Sequence, residues 1–578
     1  MSNTPNFDLK IKTILDATVP GERVCVASGN QWTMTEKEIQ WYKDFFVPPS
    51  PYAPETRMKL FGAAWAGFSW WWNKDATTGK KILTHVHPHS GFKVVSDKEW
   101  FSSDYTNMGV VYDFGQGFFN QFLQLVKTVP FSVSKNFTPP HNSIARASFG
   151  DENSYFVVAT KSKRCAYMEN VTDAEDTVEA VLSNNIFQSQ NICHSHRISN
   201  CYWIRQSYDC MNCWFMFDCR NCEHCFGAWN KRYKKYLWFN EQLTQEEWET
   251  RFAQVNTCSR SVMNEHEAKF RDVLNSQAVW PNGFITNCQN SSGDYLDKCI
   301  DCYKCWGSEN AKDEWYSIWS QSGAEHNAFG LFPGSNNCYE SPAAINCKQA
   351  YFSYFVSQCQ NVEYCIECSE CENCFGCTNI RHKNFCILNK QYSEVEYWAL
   401  LDHIKCDMLE RGEYGKYFSG AFTCVPHDSS NGRTIFSDWA EKEKQELSIQ
   451  SYDHGLNGAF GDWEGKTFED LNFVPDAVDT IETESFSKHV FQDPELYNRP
   501  FTYHPLELEL YKKLKTPIPA KHFISRVWNL WFELNLDEYQ SGICALCKKE
   551  VEYAKNRLYP DRKIFCQKCY IKYLETNG

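Results

Sequence analysis

Four cysteines near the end of the 578-residue chain have the spacing of a metal site. Cys544 and Cys547 form one Cys-x-x-Cys pair, and Cys566 and Cys569 form a second pair after the intervening stretch 548–565. Two such pairs supply four thiolates, which is the ligand set that tetrahedral Zn²⁺ takes in ribbon and treble-clef sites. The sequence therefore predicts a structural zinc site here, with neighbouring lysines offsetting part of the thiolate charge.

The other cysteines follow a nine-residue spacing rather than a ligand pattern. The chain has 29 cysteines, an odd number that cannot all form intramolecular disulfides. Free cysteine packs in cores as a small, weakly polar side chain, so packing is the favoured interpretation. Zinc or an iron–sulfur cluster stays the alternative for the Cys-x-x-Cys-x-x-Cys runs. The nine-residue series are Cys201, Cys210 and Cys219, and Cys359, Cys368, Cys377 and Cys386; the runs begin at Cys219, Cys299 and Cys368.

Short apolar segments separated by polar turn residues indicate the elements that hold these cysteines. Segments such as "CYWI", "CWFMF" and "FCIL" read as strands, with Asn, Asp and Ser between them. Two nine-residue units would make a coil of about 18 residues, as in β-helices. Coils stacked roughly 4.8 Å apart align equivalent side chains in ladders. We therefore predict parallel β-solenoid blocks whose interior is a cysteine ladder.

A gap-free internal duplication divides the repeats into two blocks. The segment 221–248 matches 370–397, and each copy ends in a capping box, Thr244…Glu247 and Ser393…Glu396, which predicts a helix start. In this register Cys377 lies opposite Ala228, and Cys386 opposite Leu237. A ligand cannot be exchanged for alanine or leucine without losing its site, so both cysteines are predicted to be core residues.

A second duplication relates the two ends of the chain. Residues 38–57 match 507–526, and the register then sets four non-cysteine residues opposite the four predicted zinc ligands. The N-terminal module is therefore predicted to be a zinc-less copy of the C-terminal one. The alternating histidines nearby have two interpretations, a polar loop and a replacement metal site. We favour the polar loop. The four substitutes are Asp75, Thr78, Ser96 and Glu99, and the histidines are His85, His87 and His89.

These motifs resemble a known family. The segment "NCFGCTNIRHKNFCILNKQYSEVEY" and the paired "YK…P.P…R" ends are similar to those of an uncharacterised cysteine-rich repeat family of bacterial candidate phyla and metagenomes, with paired zinc-ribbon-like end modules. The resemblance spans nearly the whole chain and implies no activity. It also implies a CxxCG motif near the start and a CPxCR motif before the arginine. Here those places read Cys25–Gly29, "APETR" ending at Arg57 and "HFISR" ending at Arg526, so most of those ligands are missing.

Composition excludes some classes of protein. With 43% hydrophobic residues, 21 Trp and 41 Phe, the chain is not mostly disordered. A net charge of −14 argues against a general nucleic-acid binder. The N-terminus has no signal-peptide core and no segment approaches a membrane span, so we expect a cytoplasmic protein with reduced thiols and no membrane contact.

The predicted architecture is an α+β multidomain protein. Cysteine-laddered β-solenoid blocks capped by helices are flanked by two homologous ribbon- or treble-clef-like modules. The predicted divisions are 1–104 (zinc-less module), 105–150 (aromatic helix and connector), 151–280 and 281–410 (solenoid blocks with capping helices), 411–485 (acidic linker) and 486–578 (zinc module).

The function most compatible with this architecture is non-enzymatic. We expect a rigid repeat surface that binds a protein partner or self-associates. No catalytic residue is predicted. The alternatives are a nucleic-acid- or ribosome-associated zinc protein, and a carbohydrate-active β-helix that would use acidic clusters such as Asp297 and Asp301.

Overall fold

Two compact units make up the computed structural model, which describes residues 3–320, 334–452, 463 and 465–578. The first unit combines Met1–Val133 with Gly283–Tyr452, and the second combines Ser134–Asn282 with Asp453–Gly578. Each unit thus joins one end module to a repeat block that is remote from it in sequence. Both contain helices and strands, which confirms the predicted mixed fold.

Short helices occur in the end modules and after the repeats. No described helix is long and apolar enough to cross a membrane. In chain order the α-helices are α1 Pro5–Ala17, α2 Glu36–Phe45, α3 Pro54–Ala64, α4 Asp97–Ser102, α5 Phe118–Thr128, α6 Gln245–Phe252, α7 Arg260–Ser276, α8 Glu394–Glu410, α9 Asn431–Ile435, α10 Glu441–Glu446, α11 Thr483–Phe486, α12 Pro505–Leu514, α13 Phe523–Phe532 and α14 Gln567–Asn577.

The strands are short and mostly parallel in the repeats, and mostly antiparallel in the end modules. Those of the first unit are Gly21–Val24, Gln31–Met34, Trp71–Lys74, Lys81–Thr84, Val94–Val95, Phe131–Ser132, Ile285–Thr286, Gly293–Asp294, Leu296–Asp297, Cys305–Trp306, Lys348–Tyr351, Gln360–Glu363, Glu372–Phe375, Asn384–Ile387 and Lys390–Gln391. Those of the second are Ile144–Arg146, Tyr155–Lys163, Ala166–Glu175, Val178–Phe187, Gln190–Cys193, His196–Ser199, Tyr202–Arg205, Tyr208–Met211, Trp214–Phe217, Phe226–Trp229, Leu237–Trp238, Glu241–Gln242, Val279–Pro281, Phe491–Asp493, Arg499–Phe501, Asn535–Ile543, Glu550–Asn556 and Lys563–Phe565.

The repeats pair in parallel with a step of twelve residues. In the second unit Val178 pairs with Gln190, and Gln190 pairs with Tyr202. In the first unit Lys348 pairs with Gln360. The predicted coil of about 18 residues is therefore wrong, because residues twelve apart lie side by side. We call residues 144–242, a twelve-stranded sheet, the second-unit ladder, and residues 285–320 and 334–391 the first-unit ladder.

At every third position of the ladders a residue has the left-handed backbone conformation, with positive φ. This conformation determines which side chains enter the ladder core. Asn200, Trp203 and Gln206 have φ values of 52°, 57° and 52°, and the residue after each is buried. Inward-facing positions therefore recur in steps of three, and nine and twelve are both multiples of three. The core cluster of the second-unit ladder contains Ala145 and otherwise only residues that follow a left-handed one: Val157, Cys165, Met168, Val171, Ala174, Ala180, Ile186, Ile192, Ile198, Cys201, Ile204, Cys210, Cys213, Met216, Cys219, Cys222, Cys225, Ala228 and Leu237.

Backbone hydrogen bonds to the preceding twelve-residue repeat offset the conformational cost of these left-handed residues. A non-glycine residue in this region costs about 1–2 kcal/mol, and Asn and Asp tolerate it best. Asn212 N–H donates to the carbonyl of Ser199 at 3.0 Å, and Asp218 N–H donates to that of Arg205 at 3.1 Å. The backbone N–H groups of these left-handed residues thus contribute hydrogen bonds to the ladder.

Helices follow the last parallel strands, as the capping boxes predict. Thr244 caps α6 and Ser393 caps α8, each with the reciprocal Glu bond. Trp248 of α6 is buried and donates from Nε1 to the carbonyl of Leu237 at 3.2 Å. The helix therefore lies against the strand Leu237–Trp238 of the second-unit ladder.

A buried arginine joins the end module of the first unit to its ladder. Arg57 of α3 donates through Nη1 to Glu340 Oε1 at 2.9 Å and to the Tyr339 hydroxyl at 3.1 Å, both on the ladder. Its Nη2 lies 3.5 Å from Glu38 Oε1, and Tyr42 donates to the same oxygen at 2.7 Å. The Arg57 and Glu340 side chains are each 1% exposed.

The second unit repeats this arrangement with the duplicated residues. Arg526 of α13 donates through Nη1 to Glu507 Oε2 and to Glu179 Oε1, both at 3.0 Å. The Tyr511 hydroxyl lies 2.6 Å from the same nitrogen, and Tyr167 of the ladder donates to Glu507 at 2.6 Å. We call the two sets the arginine clusters. The end duplication aligns Arg57, Glu38 and Tyr42 with the residues that form the second cluster: Arg526, Glu507 and Tyr511.

The stretch predicted as an acidic linker is divided between the units. Residues 411–452 pack into the first unit, where Phe418, Val425 and Trp439 are buried. The later part of the stretch packs into the second unit. There Val478 is buried, and Asp476 accepts a hydrogen bond from Ser261 N–H at 2.8 Å. The part of the linker prediction that concerns residues 453–462 and 464 lies outside the described residues.

Replacing either cluster arginine with methionine is expected to destabilise the protein. Arg57→Met or Arg526→Met leaves two buried carboxylates without their cation, a change that costs about 3–5 kcal/mol. Arg251→Met is the control, since Arg251 and Glu241 form an exposed pair that is worth less than about 1 kcal/mol. Urea unfolding of the full chain measures all three. A cluster variant as stable as Arg251→Met would contradict the assignment.

Candidate metal centre

The four predicted ligands come together at one end of the second unit. The sulfurs of Cys544, Cys547, Cys566 and Cys569 all lie within 4.8 Å of one another. The Sγ atoms of Cys547 and Cys566 are 3.8 Å apart. A tetrahedral site with metal–sulfur bonds of about 2.3 Å needs sulfurs about 3.8 Å apart. These cysteines fit that geometry and could hold a metal ion. We call them the four-cysteine site.

A strand hairpin and a helix start position the four thiols. The hairpin of Asn535–Ile543 and Glu550–Asn556 ends in a tight turn, in which Cys544 N–H donates to Lys549 and Lys548 N–H donates to Cys544. Cys566 caps α14, so the second Cys-x-x-Cys pair lies at the start of that helix. A bond from Ala545 N–H to the carbonyl of Ile564 at 2.8 Å joins the turn to the strand Lys563–Phe565, which leads into α14.

The surroundings of Cys544 favour its thiolate form, whereas burial and the neighbouring sulfurs raise the pKa of Cys569 to about 12. Cys566 N–H donates to Cys544 Sγ at 3.3 Å. Burial acts to raise the pKa of Cys544, but backbone N–H groups of Cys547, Cys566 and Leu546 outweigh it and lower the pKa to about 6. Cys547 is exposed, so an ion can reach the sulfurs from solvent.

In the first unit a carboxylate takes the place of the Cys544 sulfur. Asp75 forms the same turn: its N–H donates to Lys80, and Gly79 N–H donates to its carbonyl at 2.8 Å. Its carboxylate accepts from Thr78 N–H at 2.7 Å and from Ser96 N–H at 3.2 Å. Burial opposes these donors, yet they lower the pKa of Asp75. Hydrogen bonds thus do here what metal bonds would do in the four-cysteine site.

The first turn of each end module shows a related substitution. Cys25 forms a turn in which Gly29 N–H donates to its carbonyl at 2.8 Å, and its thiol lies 3.5 Å from Thr56 Oγ1. In the second unit Asp493 accepts from His522 N–H at 2.8 Å and from Ser525 Oγ at 3.0 Å. These are the places where the family resemblance implies further cysteines, and polar contacts occupy them.

A buried aspartate fastens the helix of the four-cysteine site to its ladder. Asp218 is 0% exposed, and it accepts from the Tyr570 hydroxyl of α14, from Asn230 Nδ2 at 2.8 Å and from Arg232 Nη2 at 3.0 Å. Asn230 also bonds both the N–H and the carbonyl of Val279. Sequence reasoning did not assign these residues a role.

The first unit uses the duplicated asparagine and arginine in the same way. Trp100 of α4 donates from Nε1 to Asn379 Oδ1 at 2.9 Å. The guanidinium of Arg381 lies 4.3 Å from the Trp100 ring centroid and donates to the carbonyl of Ser103. The duplication aligns Asn230 and Arg232 with Asn379 and Arg381 without a gap. This match was the sequence signal that would have identified the contact.

The ladder cysteines are packed in the core and bond to backbone carbonyls. Cys377 is buried, and its Sγ donates to the carbonyls of Phe375 and Cys386, at 3.4 Å in each case. Burial raises the pKa of Cys338 to about 12, and contact with Cys359 together with burial raises that of Cys371 to about 12. Among the described residues the four-cysteine site is the one group of three or more potential ligands whose atoms converge closely enough to hold a metal ion.

The alternating histidines do not converge on one point. His87 is 1% exposed and stacks on Tyr452 at a centroid distance of 4.6 Å. Its Nδ1 accepts from His89 N–H at 3.1 Å, while His89 itself is exposed. The packing of His87 in the first-unit core, rather than a ligand role, explains why a histidine stands there.

Comparison with known proteins found no family model and no curated protein that matches this chain. The resemblance to a cysteine-rich repeat family stays a prediction.

Disrupting the four-cysteine site is expected to remove the metal. The C544S/C547S variant leaves two thiolates, too few to close a tetrahedral site, so metal content measured by plasma mass spectrometry should fall from about one ion per chain to near zero. C258S, C406S and the double variant of both are the controls, because these half-buried cysteines lie outside the site. Unchanged metal content in C544S/C547S would contradict the assignment.

Restoring cysteines to the N-terminal module is expected to create a second site. The variant D75C/T78C/S96C/E99C places four thiols on the turn and helix start that match the four-cysteine site. Metal content should rise from about one to about two ions per chain, since a complete set of four thiolates closes a tetrahedral site. The single variant D75C, which cannot supply four ligands, should stay at the original content. A quadruple variant that folds but binds no additional ion would refute the structural equivalence.

The bond from Tyr570 to Asp218 is expected to stabilise the second unit. Tyr570→Phe removes the hydroxyl donor and leaves a buried carboxylate with one partner fewer, at a cost of about 1–3 kcal/mol. Tyr573→Phe, on the same helix and half-buried, is the control. Urea unfolding gives the difference, and metal content should not change. Equal stability of the two variants would count against this bond.

Proposed function

We propose that this chain is a non-enzymatic interaction protein in which two β-solenoids each hold an end module as a rigid recognition surface. The observation that carries the proposal is the pair of arginine clusters. Arg57 and Arg526 each join two helices of an end module to a ladder acid, Glu340 or Glu179. Buried ion pairs of this kind fix geometry more than they add stability. Two such clusters support a scaffold function.

The solenoid part of the proposal rests on pairing and on core positions. Residues twelve apart pair along both ladders, and the inward positions recur every third residue. A chain that turns through four three-residue sides would return to its starting edge after each twelve-residue step. Such a coil presents the same outward face at each level, which suits binding to an extended partner.

We assign zinc to the four-cysteine site, in a structural role. Four thiolates in tetrahedral arrangement suit Zn²⁺ or iron, and a site closed by four protein ligands leaves no open position for substrate. The hydrogen-bonded substitutes around Asp75 and Asp493 support this role, because they hold related turns without a metal. The ladder thiols, which donate as S–H groups, further support a reducing, cytoplasmic location.

The proposed partner is a protein or a second copy of the chain. Light scattering across a concentration series, together with cross-linking and capture by the full-length chain from its native cell, tests this. We expect concentration-dependent self-association or one reproducible protein partner that Arg57→Met weakens. A strictly monomeric chain that captures neither, or one that hydrolyses polysaccharides, would overturn the proposal.

A second candidate is contact with a nucleic acid at the four-cysteine site. Lys548, Lys549 and the neighbouring Leu546 are exposed, in a chain whose net charge is −14. Lysine contacts to phosphates make binding fall steeply with salt. Binding of single-stranded RNA that weakens with added salt and is lost in K548E/K549E would favour this candidate. Salt-insensitive or undetectable binding would discard it.

A further inference from the structure

The last repeat of the second-unit ladder contains residues 231–235, which read Lys-Arg-Tyr-Lys-Lys. We call this stretch the basic segment. Lys231 and Lys234 each follow a left-handed residue, so they occupy inward positions of the repeat. Twelve residues earlier, the same positions hold Cys219 and Cys222, which are buried, whereas the two lysines are only half-buried. The end of the ladder therefore carries two cations where the preceding repeat carries thiols.

The first unit neutralises the lysine that corresponds to Lys234. The duplication aligns Lys234 with Lys383 without a gap, and Lys383 Nζ lies 2.7 Å from Asp104 Oδ2. Among the described residues the ammonium group of Lys234 forms neither an ion pair nor a hydrogen bond. Lys231 aligns with the uncharged Ile380, so it is a cation that the first unit lacks. The basic segment thus has more positive charge than its counterpart and lacks the acidic partner.

The surroundings of the two lysines leave their charge uncompensated. Lys231 Nζ donates to the backbone carbonyl of Asn577, which carries no charge. Asp218 Oδ1 lies 3.0 Å from Arg232 Nη2 and 3.6 Å from Arg220 Nη2, so one buried carboxylate serves two guanidinium groups. In the part of the chain that the structure describes, no carboxylate pairs with either lysine. An anion that binds from outside would supply the missing negative charge.

An exposed tyrosine lies between the two lysines. Tyr233 is 78% exposed and has a φ of 56°, a conformation that is costly for a bulky residue. The residues twelve and twenty-four positions earlier, Asn221 and Asp209, are of the types that tolerate it best. Among the described residues the Tyr233 ring packs on no other ring, and its hydroxyl forms no hydrogen bond. An aromatic side chain placed in this way is typical of an anchor at a protein interface.

The extent of the positive charge favours an acidic protein segment over a nucleic acid. Glu223 pairs with Lys235, and Asp209 pairs with Arg197 earlier on the ladder, so carboxylates interrupt the positive charge. A nucleic-acid backbone gains affinity from a row of cations along its length, whereas a short run of carboxylates needs only a few. Since the chain has a net charge of −14, an acidic partner is repelled elsewhere and oriented towards this segment.

We propose that the basic segment binds a short acidic stretch of a partner protein. Carboxylates of the partner pair with Lys231 and Lys234, and an apolar or aromatic side chain packs on the exposed ring of Tyr233. This inference rests on the proposed interaction function and gives the chemistry of the partner.

Fluorescence anisotropy of a labelled peptide, titrated with the full-length chain at low salt, tests the proposal. The peptide carries a run of glutamates beside one tryptophan. We expect saturable binding that weakens as salt is added, because salt screens exposed charges. A peptide with glutamine in place of every glutamate should not bind. Equal binding of the two peptides, no saturable binding of the acidic one, or tighter binding of single-stranded oligouridylate would overturn the proposal.

Variants of the basic segment localise the binding. K231I/K234M removes the two uncompensated cations and should weaken binding of the acidic peptide by about tenfold or more. Y233N restores the residue type that the column has one repeat earlier and should weaken binding without loss of stability. K383M, in the first unit, is the matched control and should bind as the unchanged chain does. Equal affinity of K231I/K234M and K383M would contradict the assignment.

Two further measurements keep the outcomes distinct. Circular dichroism checks the fold of each variant, and K234M alone, which should also weaken binding, replaces the double variant if the latter does not fold. Light scattering and protein capture are carried out on the same chain. If the acidic peptide does not bind although the chain self-associates or captures a protein, the assignment of the basic segment is wrong and the interaction function stands. If none of these occurs, the interaction function itself fails.

Discussion

The left-handed residue at every third position is the constraint on which the ladders depend. It turns the backbone so that the next side chain enters the core, and after four such steps the chain pairs with itself twelve residues earlier, as Tyr202 does with Gln190. Only one residue in three must then be small or apolar. Cysteine suits that position because it fills a narrow interior and its thiol can donate to a backbone carbonyl, as Cys377 does to Phe375. The buried position that this three-residue repeat gives to most cysteines therefore explains why they pack and bond to backbone carbonyls.

The two units share one arrangement but carry different residues at the positions of the four-cysteine site. The arginine clusters of Arg57 and Arg526 hold corresponding helices against ladder acids. Around them the turns have diverged: Cys544 belongs to a four-thiol site, whereas Asp75 accepts backbone N–H groups at the equivalent place. A carboxylate that receives several N–H donors holds a turn much as a thiolate held by a metal does.

Local signals predicted part of this structure. The capping boxes at Thr244 and Ser393 and the Cys-x-x-Cys pairs depend on residues close in sequence, so their elements were predicted correctly. The number of residues between paired strands was predicted wrongly. Cysteines occupy only inward-facing positions, and spacings of nine and of twelve residues both occur between such positions. The combination of each module with its ladder was also missed. It depends on contacts such as Arg526 with Glu179, between residues far apart in the chain, and neither residue shows a local sign of its partner.

Residue-resolved alkylation of the native, metal-loaded chain tests the central claim most directly, namely that the buried ladder cysteines lie in a closed core and the cysteines of the four-cysteine site are ligands. With N-ethylmaleimide at neutral pH, mass spectrometry should find the half-buried Cys258 and Cys406 labelled, while Cys365, Cys374 and the four-cysteine site stay unlabelled. Chelation should then expose the four-cysteine site alone, and only unfolding should expose the buried ladder cysteines such as Cys365 and Cys374. Labelling of Cys365 or Cys374 in the native chain at the rate of Cys406 would contradict the account.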